Sequence, residues 1–243
     1  MKLIWCWINI FINPFFVYLL IVIIKTIKSR RSISRFTNEK IPDYLIDELI
    51  RISSYAPSSC NTQPWFFLIF NSDSSKEKLN DYIQKGYDYT KDSLKKNHKI
   101  MSPIYIRLLN FFSNYGKFDP APTYILLFAR PYDTILFSQA IKFSKNQEIE
   151  KISQDSVKTS SAMAMQNFLL VAHDKGLGTR VKDGIKFLMN FEDLKVSLYK
   201  EFKIPLDYEL ISGIQLGYPT DEAKLRKVPK KLPLSKIRKF IWF

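Results

Sequence analysis

Cysteine and histidine are almost missing from this 243-residue chain, with two of each. Cys6 and Cys60 stand far apart in dissimilar contexts. That suggests neither a disulfide framework nor a zinc site, and a reducing compartment is the simpler assumption. His98 and His173 are too few for a multi-histidine metal site and make a histidine-based triad hard to assemble. Acids are scarce as well: 23 Asp and Glu face 37 Lys and Arg, a formal charge of +14. The basic residues are scattered, however, and no helix-turn-helix, zinc-finger or RNA-binding signature accompanies them. The charge therefore suits solubility, an anionic membrane surface or a phosphorylated cofactor equally well, and nucleic acid is not expected as a partner. Internal repeats and low-complexity linkers are also absent, which argues for one domain, and 46% hydrophobic content supplies its core.

What is present begins with an apolar run. Leu3 to Ile24 carries no charge and is broken only by Asn9, Asn13 and Pro14. A helix of that length, at about 1.5 Å per residue, would cross a hydrocarbon core of about 30 Å. Asn13-Pro14 also reads as an N-cap followed by proline at the first helical position, starting a separate helix from Pro14 to about Ser29. The segment is thus a membrane anchor or an interface helix. If it spans, Lys25, Lys28, Arg30 and Arg31 outweigh Lys2, and the positive-inside rule leaves the rest in the cytoplasm at the inner membrane face. Basic residues, rather than a small-residue cleavage site, follow the run, which argues against a signal peptide. Residues 1–24 are accordingly set apart from a domain at 25–243.

Arg30 to Phe36, Arg-Arg-Ser-Ile-Ser-Arg-Phe, packs arginine forks and serine hydroxyls at the exit of that helix, a composition suited to phosphate or to lipid headgroups. Pro42 to Tyr55 is an amphipathic helical pattern that delivers the chain into Ala56 to Trp65, Ala-Pro-Ser-Ser-Cys-Asn-Thr-Gln-Pro-Trp. Two prolines exclude regular helix there, while Ser58, Ser59, Asn61 and Gln63 offer hydroxyls and amides. Phe66 to Phe70, Tyr124 to Ala129 and Glu209 to Leu216 read as strands, and residues 71–120 as helical in parts. Asp155 to Lys175 is the strongest helix, ended by a left-handed glycine cap in Gly176-Leu177-Gly178-Thr179, with a further helix over Phe191 to Lys200. Because a helix precedes these glycines, a dinucleotide fingerprint is rejected.

The arginine-serine cluster, the Ala56–Trp65 loop, Asp155, Gln166-Asn167 with Leu169-Leu170, Gly176 to Thr179, Leu216-Gly217-Tyr218-Pro219 and a terminal Pro229 to Leu234 resemble the nitroreductase-like flavoproteins. The resemblance covers roughly Ile24 to the C-terminus. It implies an α+β fold, a mixed central sheet flanked by helices, in an intertwined homodimer with two FMN sites at the interface. It also implies transfer of reducing equivalents from NAD(P)H to a small acceptor such as a nitroaromatic or quinone, with a dehydrogenase, dehalogenase or flavin-cleaving enzyme as the alternative on the same fold and a non-enzymatic, basic membrane-surface or nucleic-acid-binding protein as the remaining one outside it. The chemistry is then carried by FMN, with no side chain needed as acid or base. By position, Arg30, Arg31, Ser32 and Ser34 would hold the FMN phosphate and ribityl chain, with Lys230 or Lys231 closing the phosphate site. Pro57, Ser58, Ser59 and Asn61, with Gln63 behind, would line the isoalloxazine from the partner subunit. Ser160 and Met163 would approach the flavin, and the backbone of Asp183 and Gly184 would reach its N5. Ser34 stands where many relatives carry a second basic residue, so Arg35 is a candidate to shift the phosphate grip by one.

Overall fold

The computed structural model describes residues 14–97, 107, 120–131, 147–225 and 227–241. Four strands, β1 (Trp65–Phe70), β2 (Thr123–Ala129), β3 (Gly178–Lys182) and β4 (Glu209–Gly217), form one sheet in the order β1-β2-β4-β3. All three pairings are antiparallel. The mixed character expected of the sheet enters at its β3 edge, where Ser32 makes a parallel bridge to Thr179.

Both faces of the sheet are covered, so its inner strand β2 lacks a polar side. Every residue of β2 is buried. Tyr124, Leu126 and Phe128 alternate to one face, where they meet Leu79, Ile83 and Tyr87 of α3 (Asp73–Asn97) and Leu198 and Tyr199 of α5 (Glu192–Glu201). Ile185 and Leu188, from a 3-10 turn over Asp183–Asn190, complete this cluster. On the other face, Ile125, Ile214 and Leu216 pack against Ile46 and Leu49 of α2 (Asp43–Ser53) and Phe168, Leu169 and Ala172 of α4 (Gln147–Asp174).

The 28 residues of α4 make a rod about 42 Å long that runs antiparallel to β2. Val157 packs with Ala129, Ala164 with Leu127 and Trp65, and Phe168 with Ile125. Its end is a left-handed glycine cap, as expected: Gly176 has φ 78°, its N–H donates to His173 and the Leu177 N–H to Ala172. The chain then turns directly into β3, which the sequence reading absorbed into the cap.

The first helix, α1, runs from Pro14 to Ser29, the start and end expected from Asn13-Pro14. It continues unbroken through the division placed between residues 24 and 25. Residues 3–13 of the anticipated anchor lie outside the described residues, and no described helix is long and apolar enough to cross a membrane. After β4, Thr220 caps α6 (Asp221–Lys224) by accepting from the Ala223 N–H. Beyond it the tail, with its short α7 (Leu234–Ile237), is exposed at each described position from 227 to 241.

Candidate active site

The expected site residues gather at two ends of the sheet. Arg30 to Phe36 leaves α1 and crosses the β3–β4 edge, held by backbone bonds: the Ile33 N–H donates to Thr179, and the Thr37 N–H to Tyr218. Close approach here requires glycine. A Cβ on Gly178 would sit 2.8 Å from Ile33 Cβ, and one on Gly217 would sit 2.7 Å from Pro122 Cδ and 2.8 Å from Phe36 Cδ1. Arg30 and Arg31 are half-buried and, among the described residues, ion-pair with no carboxylate. The Arg31 guanidinium spends one nitrogen on the carbonyls of Lys28 and Arg30, both at 2.7 Å, while its Nε is buried without a partner. Burial, and then the Arg31 charge, lower the Arg30 pKa. Two adjacent, partly desolvated cations without an acid are chemically matched to an anion, which would relieve both effects. Lys25, Lys28 and Arg31 also border a cavity of about 540 Å³ with Ile24 and Ser29.

Neighbouring residues sort themselves. Ser32 is exposed and Ser34 half-buried. The exposed Arg35 guanidinium is engaged by Glu222, 187 positions along the chain. Lys230 and Lys231 are exposed on the tail. Ser29 Oγ lies 2.7 Å from His173 Nε2, and Thr26 Oγ1 donates to Asp174 at 3.4 Å, tying the end of α1 to the end of α4.

The opposite end of the sheet carries the other set. β3 ends at Lys182, a lysine with 2% exposure, and leads into Asp183, exposed and paired with Lys186, and the buried Gly184. Four residue steps lead from Thr179 to Asp183, about 13 Å at the rise of a strand. The Ala56–Trp65 loop lies toward this same end but before β1, about 14 Å across at ordinary strand spacing and about 10 Å further along, since Lys182 is level with Leu68 and not with Trp65. A 3-10 turn, Ser59–Asn61, shapes it, and Cys60, Asn61 and Gln63 have φ of 50°, 53° and 45°. These left-handed side-chain-bearing residues are costly, by about 1–3 kcal/mol each in sparsely populated regions, and are held by local bonds. Ser58 Oγ accepts from the Gln63 N–H at 3.1 Å, and Gln63 Nε2 donates to Asn61 at 3.2 Å. Arg130, at the end of β2, clamps the exit, its backbone N–H donating to Pro64 and its guanidinium to the Gln63 carbonyl at 2.6 Å.

Beneath the loop, the buried Ser160 of α4 accepts from the Ser59 N–H at 3.4 Å. Met163 is exposed one turn further along. Pro57, Ser59, Asn61 and Gln63 are exposed and Ser58 half-buried, so the loop offers donors outward. Within one chain, then, the arginines and Asp183–Gly184 flank β3, while the loop lies before β1 at the other edge of the sheet. Sequence reasoning missed the Arg35–Glu222 pair, the Arg130 clamp and the Ser29–His173 contact, all made across long stretches of chain without a local signal.

The fold is thus an α+β sheet with a half-buried arginine pair at one end of its β3 edge and a polar loop before its β1 edge. The Nitroreductase family model matches residues 27–218, and the chain belongs to the nitroreductase family, whose members are FMN-dependent oxidoreductases. It is 25% identical over 201 residues to the putative NAD(P)H nitroreductase YfhC of Bacillus subtilis, covering 83% of this chain and 86% of that one. It is 26% identical over 215 residues to iodotyrosine deiodinase 1 of Sus scrofa, covering 87% of this chain and 65% of that longer protein. Among solved structures, a BluB-like flavoprotein from Clostridium difficile superposes with a TM-score of 0.73 at 25% identity, over 90% of this chain and 98% of that one. The FMN-dependent nitroreductase NfnB of Mycobacterium smegmatis, in complex with NADPH, shares the fold with a TM-score of 0.62 at 18% identity, over 92% and 100%.

Proposed function

We propose that the chain works as a homodimer with two FMN sites and passes reducing equivalents from NAD(P)H to a small organic acceptor, a nitroaromatic or quinone. The observation that carries this reading is the Arg30–Arg31 pair, cationic, half-buried and without an acid, at one end of β3 while Asp183–Gly184 stands at the other. In this reading Arg30 and Arg31, with Ser32 and Ser34, hold the phosphate and ribityl chain. The backbone of Asp183 and Gly184 meets the ring about 13 Å further along the strand. Pro57, Ser58, Ser59, Asn61 and Gln63 reach the ring from the second chain, with Ser160 and Met163 of α4 close by. The loop's place before β1, three strands from β3 within a single chain, supports that division. The tail supports it as well: Leu225, Val228, Leu232, Leu234, Ile237 and Phe240 are all more than half exposed, surface that a second copy would cover, bringing Lys230 or Lys231 to its phosphate corner.

Bound FMN supplies two-electron hydride chemistry; the protein's part is to hold it, to aim amide and hydroxyl donors at the ring edge where negative charge develops, and to leave one face open. The test is direct. Purified protein should be yellow, and its flavin bands should bleach with NADH or NADPH without oxygen; colourless protein that takes up no FMN sinks the reading. A second reading, reductive dehalogenation of a halogenated phenol, draws on the match to iodotyrosine deiodinase over most of this chain. Halide release from iodotyrosine by dithionite-reduced protein, with poor NAD(P)H turnover, would favour it.

A further inference from the structure

The described histidine has no place in the chemistry above, yet it sits against the phosphate corner. His173, on the last turn of α4, is half-buried, and its Nε2 lies 2.7 Å from the hydroxyl of Ser29, the last residue of α1 and the neighbour of Arg30. One position on, Asp174 accepts from Thr26 of the same helix. We infer that His173 is a positioning residue of the phosphate corner whose charge is linked to cofactor binding: it braces the end of α1 through Ser29, and it takes up a solvent proton when a phosphate is held by Arg30 and Arg31. This rests on the phosphate reading of those two arginines.

The brace survives either protonation state, because a serine hydroxyl donates to a neutral ring nitrogen or accepts from a protonated one. Charge is what changes. Facing His173 are Arg30 and Arg31 beyond α1 and Asp174 on α4, while the adjacent Lys175 is paired with Glu48 of α2. Burial and then Arg30 lower the His173 pKa, Arg31 adds to this, and Asp174 opposes it. A phosphate dianion on the arginines offsets their charge, so the bound state favours the imidazolium more than the free state does. By linkage, affinity for a phosphorylated ligand then rises as pH falls through the window between the lowered free value and the higher bound one.

Dissociation constants for FMN and for riboflavin, which lacks the phosphate, are measured by flavin fluorescence from about pH 8 to about pH 5. The unsubstituted chain, His173→Gln and Arg30→Ala are compared. FMN affinity of the unsubstituted chain should rise by about three- to tenfold more over that range than that of His173→Gln, whose profile retains only the titration of the phosphate itself. Riboflavin should show no difference between them. Superimposable FMN profiles for the two chains overturn the inference while leaving the phosphate reading in place. Undiminished FMN affinity in Arg30→Ala instead removes the phosphate reading, and the inference with it. Should His173→Gln not fold, the imidazole is titrated by NMR in a His98→Gln chain, where it is the only histidine. FMN must raise its pKa and riboflavin must not; an unmoved value overturns the proposal.

Discussion

The two ends of the sheet hold their candidate site residues by opposite means. At the arginine corner, main chain pairs with main chain: Ser32 bridges Thr179, Phe36 bridges Pro219, and glycines at 178 and 217 let the segments touch. At the loop end, three side-chain-bearing residues sit in left-handed conformations, held by Ser58, Arg130 and Ser160. The corner is fixed by its backbone pairing with the sheet. The loop is fixed by side-chain hydrogen bonds, from Ser58 within it and from Arg130 and Ser160 outside it, and leaves Pro57, Ser59, Asn61 and Gln63 exposed.

The sharpest way to test this contrast is to remove charge from the corner. Arg30→Ala together with Arg31→Ala should weaken FMN binding by at least about a hundredfold, since charge-assisted bonds contribute about 1.5–3 kcal/mol each, while riboflavin binding changes little. Equal losses for both ligands would show that the corner shapes the fold and not the anion site. Next in size, Gly178→Ala drives a Cβ into Ile33 and should cost about 1–3 kcal/mol, read as a lower thermal midpoint together with weaker FMN binding. An unchanged midpoint would mean that the segment can lift off β3 without cost. Relieving the loop should act in the other direction: Cys60→Gly exchanges a left-handed penalty of about 1–2 kcal/mol for a glycine entropy cost of about 0.5–1 kcal/mol. A small rise in thermal midpoint is expected, and a fall would show that the loop is not strained. Smallest of all, Arg35→Ala removes an exposed ion pair with Glu222, a change of about 0–1 kcal/mol, and should leave FMN affinity where it was. A clear drop in affinity would return Arg35 to the phosphate grip.

Much of this was legible in the chain because the signals are local. Proline at position 14 starts α1, the apolar runs at Trp65–Phe70 and Thr123–Ala129 are strands, and Gly176 ends α4. β3 was not legible. Gly-Thr-Arg-Val-Lys has no alternation of apolar and polar residues, and it becomes a strand only because β4 offers it a partner on one side and Ser32 on the other. The burial of Lys182 follows from that tertiary choice, and composition alone argues against it. The same holds at the site. The identities of Arg30, Arg31 and the loop stand out by residue type, whereas the engagement of Arg35 by Glu222 and of Gln63 by Arg130 depends on chain segments far away in sequence.

The separation of the loop from β3 also has a genetic meaning. In the proposed dimer a chain damaged at the arginine corner still offers a sound loop, and a chain damaged in the loop still offers a sound corner. Two inactive alleles expressed together would therefore assemble mixed pairs in which one pocket carries both lesions and the other carries neither. Activity would return from two dead genes, and in fully random assembly it would reach about a quarter of the sites.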